Sequence, residues 1–429
     1  MQSVLIVGGG GREHAIIAVL AKSPRVRQLH AAPGNGGIAE LAQCRNVAAT
    51  DVAGVVALAK SLEVDWVFVA PDDPLVLGMV DALEAEGFKT FGPRKNAAIL
   101  EGSKAFSKAF MARNNIPSAD YAEFTDCDKA VAYIQARNSY PAVIKYDGLA
   151  LGKGVIIAQD EAEAIAAIRA MLVENKFGDA GIIIEEFLQG QEVTVLAFTD
   201  GKTVVPMPPS TDHKRAFDGD TGPNTGGMGV VAGGAALPYW SGQIADECMK
   251  RIFEPTVKAM AEEGRAFKGC LYFGLMLTEQ GVKVIEYNCR FGDPEAQAIL
   301  PLLETDLFAI MEAIEQERLA ELDIRFSNKA SACVVMASGG YPEKYTTGYE
   351  ISGLKKTEGV FHAGTKLDDS GKPVTSGGRV LAVTAVAEDL PTALARAYEG
   401  VECISFKDAH YRRDIGRAAL CQECCDNRV

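Results

Sequence analysis

The sequence predicts a multidomain protein of mixed α/β and α+β character, opening on a doubly wound parallel-sheet domain and closing on a small α+β domain. Three observations predict this. Short apolar runs alternate with helical patterns over the first third of the chain, a rhythm that requires a parallel sheet with crossover helices. Of the 429 residues, 48% are hydrophobic, enough for roughly two to four packed domains at about 100 to 200 residues each. In the last hundred residues alternating strands precede a single helix.

The opening unit, 1–100, has strands at 4–7 and 64–70, helices at 13–21 and 76–86, and a closing turn at Phe91-Gly92-Pro93. Ser103 has the chemistry of an N-cap for a connecting helix, 104–114, within the linker 101–116, and Asn115-Ile116-Pro117 stops that helix. A compact unit follows at 117–191, with strands at 142–145, 154–158 and 182–187 and an amphipathic helix at 161–172. The next, 192–326, has strands at 193–198, 271–278 and 282–287 and helices at 244–263 and 305–317. Within it, 208–235 reads as a long structureless stretch rich in Gly, Pro, Asp and Thr. Loops of that length inside a compact domain are usually functional or disordered. The remainder, 327–429, has strands at 333–337 and 380–385 and a helix at 390–401.

Lys and Arg number 43 against 57 Asp and Glu, a net charge of −14, which argues against nucleic acid or an anionic membrane as partner. Any anionic ligand must meet a local cluster of cations. No window approaches the ~18 apolar residues of a membrane helix, and the start of the chain does not read as a signal peptide. The ten cysteines are too sparse for a disulfide scaffold, so a cytoplasmic protein with reduced thiols is expected. Cys421, Cys424 and Cys425 resemble half a zinc site but lack its second half.

Several segments can carry chemistry. Gly8-Gly9-Gly10-Gly11 lies between a strand and a helix, where backbone amides can converge on an anion. It fails as a dinucleotide fingerprint, because Glu13 stands where glycine is needed. Arg12 and His14 favour a phosphate there, and a tight turn without ligand is the alternative. Lys145, Gly148, Gly152, Lys153 and Gly154 place two ammonium groups around a glycine loop that can approach phosphate oxygens closely. It is not a Walker loop, and a hairpin with surface lysines is the competing reading. The run from Glu185 and Glu186 through Phe187 and Leu188 to Glu192 can offer extended backbone to an adenine edge, an apolar side chain to its face and a carboxylate to a ribose, or it is a strand with exposed glutamates. Glu286 and Asn288, two apart on a strand, share a face, and two oxygen donors facing one way suit Mg²⁺, which completes its shell with water and phosphate. A solvated strand face is the alternative. Arg290, Asp293 and Glu295 follow in a turn. Asp212, His213, Lys214 and Arg215, followed by Asn224, Thr225, Gly226 and Gly227, suit a phosphorylated substrate, or form a mobile surface loop.

Taken in order, these segments resemble the ATP-grasp ligases and, within them, the phosphoribosylamine–glycine ligase family. The resemblance spans the chain: GGGGREHA at 8–15, APGNGG at 32–37, LEGSKAFSKAFMA at 100–112, DGLALGKGV at 147–155, IIEEFLQGQE at 183–192, DHKR at 212–215, DTGPNTGGMG at 220–229, EYNCRFGDPE at 286–295, FHAGT at 361–365 and GGRVLAVTA at 377–385. It implies an ATP-grasp fold, with 117–191 as a lid and 192–326 as the central subdomain. It also implies ATP-dependent ligation of glycine to 5-phosphoribosylamine through glycyl phosphate, a step of purine biosynthesis, with Mg²⁺ or Mn²⁺ and a monomer or weak dimer as the working form. Lys104, Lys145 and the loop with Gly148, Gly152, Lys153 and Gly154 would then hold the ATP phosphates, Glu185 to Leu188 the adenine, Glu192 the ribose, and Glu286 with Asn288 the metal. Gly10, Gly11, Arg12 and Glu13, with Asp212, His213, Lys214 and 224–227, would contact phosphoribosylamine, while Arg290, Lys145 and Asp293 would serve the chemistry. Two positions depart from the family: Asp72 stands where Glu is usual, shortening the reach of that carboxylate, and Leu151 replaces Ala.

Overall fold

The computed structural model describes residues 1–149, 154–234 and 236–420. Leu151, Gly152, Lys153 and the cysteines at 421, 424 and 425 lie outside the described residues. The first strand, Gln2–Gly8, is followed by the helix Gly11–Leu20 and runs parallel to Val26–Pro33 on one side and Trp66–Val69 on the other. With Gln43–Cys44 and Lys89–Phe91 at the edges this makes a five-stranded parallel sheet. Its central strands are apolar on both faces: Leu5 and Val7 pack into one core, Val4 and Ile6 into another, as a sheet covered on both sides demands. The helix expected over 76–86 is split into Asp72–Leu77 and Met79–Ala85, because Gly78 adopts φ +92° and ends the first piece.

Residues 117–191 form a four-stranded antiparallel sheet, ordered Tyr121–Phe124, Ile182–Glu186, Ala142–Tyr146 and Val155–Ala158. The helices Cys127–Arg137 and Glu161–Leu172 pack on it through a core of its own, including Ile134, Ile144, Ile168 and Ile184. Each such buried side chain contributes roughly 1.5–3 kcal/mol. This core is separate from the two that serve the rest of the chain.

A nine-stranded sheet forms the body. It runs Gly281–Asn288, Lys268–Thr278, Gln191–Asp200, Ser210–Asp212, Gly229–Ala232, Ala330–Ala337, Arg379–Ala387 and Val360–His362, with Val204–Pro206 beside Gln191–Asp200. Alternate residues of Gln191–Asp200 enter opposite cores, Val193, Val195 and Ala197 one and Leu196 and Phe198 the other. The sheet does not stop at 326: Ala330–Ala337 pairs with Gly229–Ala232, so the C-terminal strands extend the central sheet.

Two expectations need correcting here. The stretch 208–235 is not structureless; it contains Ser210–Asp212, Arg215–Phe217, Thr221–Asn224 and Gly229–Ala232. Strands this short carry no readable two-residue apolar alternation. The helix expected over 244–263 is three pieces, Gly242–Cys248, a π-helical Met249–Phe253 and Glu254–Glu262. Pro255 lacks the N–H that would continue the ladder.

Candidate active site

The candidate site lies where the antiparallel sheet of 117–191 meets the edge strand of the central sheet, Gly281–Asn288. The helix Lys104–Arg113 starts where the sequence places it, with Ser103 Oγ accepting from the Phe106 N–H at 3.1 Å and donating to Asp147 at 3.1 Å. Lys104 Nζ donates to the Gly148 carbonyl at 2.7 Å, so the first residue of this helix meets the start of the glycine loop. Gly154, at the far end of that loop, accepts from the Tyr146 N–H at 2.8 Å. Lys145, near the end of Ala142–Tyr146, crosses the cleft to donate to Ile285 O at 3.2 Å and sits 3.1 Å from Glu185 Oε2.

The Glu185 carboxylate also lies 3.6 Å from Lys108, which donates to Ala119 O at 2.9 Å. The side chain of Glu185 is therefore engaged with two lysines, and what Glu185 to Leu188 can offer a flat ring is backbone. Glu186 points away, toward Lys283 at 3.5 Å. Phe187 lies just past the strand end, and Leu188 packs inward.

Glu286 and Asn288 share one face of Gly281–Asn288, with buried Tyr287 on the other. Burial would raise the Glu286 pKa, but Lys214, Lys145, Lys104 and Arg290 outweigh it and hold the carboxyl below its usual range. Four cations from distant parts of the chain thus act on one carboxylate. Burial likewise draws Lys104 below its ordinary value, with Glu286 opposing. Among the described residues Glu286 makes no side-chain hydrogen bond, and the Asn288 carbonyl accepts only a long one, 3.3 Å, from Arg290. Both oxygens remain available as donors. No group of three or more His, Cys, Asp or Glu among the described residues is placed to hold a metal. The pair fits an ion that takes two protein oxygens and completes its shell with phosphate and water.

Arg290 is tied to Glu101 at 2.8 Å and to Asp72 at 3.6 Å. Despite its shorter side chain, Asp72 reaches this guanidinium. Glu101 also accepts from the Cys289 N–H at 2.7 Å; burial pushes its pKa up to about 7 although Arg290 opposes this. Sequence reasoning missed Glu101 as a site residue, since its partner Cys289 lies 188 residues away and Arg290 one further.

The 212–229 segment is anchored at both ends. Lys214 ion-pairs with Glu192, so the Glu192 carboxylate is partly committed. Burial opposes the Lys214 charge, but Glu192, Tyr272, Glu286 and Asp212 lift its pKa well above the ordinary value. The carboxylates of Asp212 and Glu295 repel one another, and burial raises both pKa values. The ring of His213 is held at both ends, its Nδ1 3.1 Å from Gly229 O and its Nε2 accepting from the Gly416 N–H at 3.0 Å. Burial, with Arg412, lowers its pKa, leaving a neutral strut with no nitrogen free for a substrate. Thr225 is similarly occupied, donating to Lys214 O at 2.9 Å and accepting from Gly227 N at 3.0 Å. Gly227 has φ +114°, and a Cβ there would meet Asp212 Oδ1 at 2.6 Å. Asn224 ends the strand opposite Arg215. Arg379, a second residue missed from sequence, donates to Gly226 O and Asp293 O at 2.6 Å each and lies 3.2 Å from the Asp293 carboxylate.

At the N-terminal loop, Glu13 accepts from the Gly10 N–H at 2.6 Å and pairs with Arg12 at 2.6 Å, while Arg12 donates to Phe291 O at 3.2 Å. Both Glu13 oxygens serve the loop itself. Asp293 accepts from the Arg12 N–H at 3.2 Å and from Gln297 at 2.9 Å, so its carboxylate positions this junction between the parallel sheet and the cleft. Asn35 joins Gly9 O at 2.9 Å to His362 O at 2.7 Å, and His14 Nδ1 accepts from the His362 N–H at 2.8 Å. Burial depresses the pKa of His14 to about 3 and of His362 to about 4. These contacts bring the GGGGREHA, APGNGG and FHAGT segments into one glycine-lined corner next to Gly10 and Gly11.

A four-stranded antiparallel sheet bearing Lys145 against a central sheet bearing Glu286 and Asn288, on a chain that begins with a parallel-sheet domain, defines an ATP-grasp enzyme. The chain belongs to the phosphoribosylglycinamide synthetase family: the family's N domain matches residues 2–101, its ATP-grasp (A) domain 102–296 and its C domain 331–418. It is 48% identical to a phosphoribosylamine–glycine ligase of Escherichia coli strain K12 over 98% of this chain and 99% of that one. It is 47% identical to the trifunctional purine biosynthetic protein adenosine-3 of Gallus gallus, of whose length it spans only 42% while 97% of this chain is matched. The crystal structure of phosphoribosylamine–glycine ligase from Thermotoga maritima superposes with a TM-score of 0.82 at 32% identity, covering 96% of this chain and 99% of that one. A biotin carboxylase domain from Hydrogenobacter thermophilus, at 16% identity and TM-score 0.72 over 99% of this chain and 95% of that one, shares the fold.

Proposed function

We propose that this chain joins glycine to 5-phosphoribosylamine at the expense of ATP, giving glycinamide ribonucleotide, ADP and phosphate in purine biosynthesis. The observation that carries the reading is that Lys145 reaches Ile285 O at 3.2 Å and Arg290 reaches Asn288 Oδ1 at 3.3 Å, on either side of a Glu286 carboxylate with no hydrogen bond among the described residues, in a chain that matches its bacterial relatives almost end to end. A carboxylate is a poor acylating agent, so a glycine carboxylate oxygen attacks the γ-phosphorus and the bond to the β-bridging oxygen breaks, giving glycyl phosphate and ADP. The sugar amine then attacks the glycyl carbonyl, losing a proton as the C–N bond forms, and phosphate leaves.

In this reading Lys104 and Lys145, with the glycine loop that includes Gly152 and Lys153, neutralise the triphosphate, and backbone of 185–188 holds the adenine with Leu188 against its face. Glu192 faces the ribose while paired to Lys214. Glu286 and Asn288 would hold Mg²⁺ or Mn²⁺, which when bound neutralises charge on the transferring phosphoryl group. Arg290, oriented by Glu101 and Asp72, places a fixed positive charge beside that group. Phosphoribosylamine lies in the corner formed by Gly10, Gly11 and the 224–227 turn; Glu13, His213 and Asp293 shape that corner. The unit 117–191 closes as a lid over the body formed by 192–326, shielding glycyl phosphate from water, while 1–100 and 327–429 wall the sugar site and 101–116 connects the units.

No helix of the described residues is long and apolar enough to cross a membrane, and the cysteines among them are free. We take the enzyme to act in the cytoplasm as a monomer or weak dimer. A coupled assay for ADP tests the substrate assignment. ADP release should require glycine and phosphoribosylamine together; sustained release with either one replaced by another acid or amine would assign a different ligation.

A further inference from the structure

We propose that Lys108 is a positioning residue that keeps Lys145 free for the nucleotide by sharing the charge of Glu185. This inference rests on the reading of Lys145 as a phosphate ligand. The three charged ends are all buried, Lys108 2%, Lys145 4% and Glu185 3% exposed, and solvent cannot screen them. Glu185 Oε2 stands 3.1 Å from Lys145 and 3.6 Å from Lys108, so one carboxylate serves two ammonium groups and a net positive charge remains. Lys108 is fixed from behind by Ala119 O at 2.9 Å and lies over the Tyr121 ring at 5.4 Å. It follows Lys104 by one helical turn on the same face, yet its bonds point to the lid strand Ile182–Glu186 and away from the loop that Lys104 contacts.

The arrangement sets up an exchange. When a polyphosphate enters, Lys145 can leave Glu185 for a phosphate oxygen because Lys108 still compensates the carboxylate. Without Lys108, releasing Lys145 would strand a buried anion, and Lys145 would remain locked in a neutral pair.

The test compares KM for ATP, KM for glycine and kcat in Lys108→Met, Glu185→Gln, the double variant and Lys145→Ala. Lys108→Met should raise KM for ATP roughly tenfold to a hundredfold, the scale of one charge-assisted hydrogen bond, with KM for glycine little changed. In the Glu185→Gln background the same substitution should add nothing, since no carboxylate is left to capture Lys145. An unchanged KM for ATP in folded Lys108→Met, or an equal loss in both backgrounds, overturns the proposal. Should Lys108→Met fail to fold, Glu185→Gln against the double variant decides: equal ATP affinity supports the proposal and unequal affinity overturns it. Lys145→Ala separates the two levels. If it binds ATP normally, the phosphate-ligand reading falls and takes this proposal with it; if it is impaired while Lys108→Met is not, only the proposal for Lys108 falls.

Discussion

Glu286→Gln should reduce kcat at least ~100-fold, the scale on which metal-centred charge stabilisation acts in phosphoryl transfer, while the circular dichroism spectrum stays that of the native protein. Four cations act on the carboxylate and keep it ionised despite its burial. The amide keeps the size and one oxygen but removes the charge that gathers the divalent ion. The loss should therefore be accompanied by a rise in the metal concentration needed for half-maximal rate. Among the described residues the carboxylate holds no hydrogen bond, which is why the fold should survive. Rates measured across a magnesium titration check this; a variant with normal turnover at ordinary magnesium would remove Glu286 from the site.

Lys145→Ala should weaken ATP binding by roughly tenfold to a hundredfold, the loss of one charge-assisted bond to phosphate. Titration calorimetry with ATP in the absence of glycine measures this directly. The protein should tolerate the change because Lys108 remains to compensate Glu185. An unchanged dissociation constant would mean that Lys145 serves only its contacts to Ile285 O and Glu185.

The parts of this molecule legible in its sequence are those whose cause is local. The helix Lys104–Arg113 begins at Ser103 because a hydroxyl there caps an amide three residues on, and Glu286 and Asn288 share a face because side chains on a strand alternate. Glycine runs could be placed between a strand and a helix for the same reason. What remained hidden depends on partners far away in the chain. Nothing near Glu101 indicates that Arg290 will lie beside it, nothing near Arg379 that it will pin Gly226 and Asp293, and nothing near His213 that Gly416 will occupy its second nitrogen. Residue type alone suggests substrate contacts at Glu13 and His213 and a part in the chemistry for Asp293; that the same polar atoms also bond neighbouring backbone and side chains depends on tertiary packing. The short strands within 208–235 escaped notice because three or four residues do not establish a period.

This enzyme activates the carboxylate of glycine by phosphorylating it. Glycine labelled with oxygen-18 in its carboxylate, turned over with ATP and phosphoribosylamine, tests it most directly through the mass of the phosphate released. Phosphate carrying one carboxylate oxygen is the result expected if glycyl phosphate forms and collapses onto the amine. Unlabelled phosphate, formed while glycinamide ribonucleotide accumulates, would contradict the account.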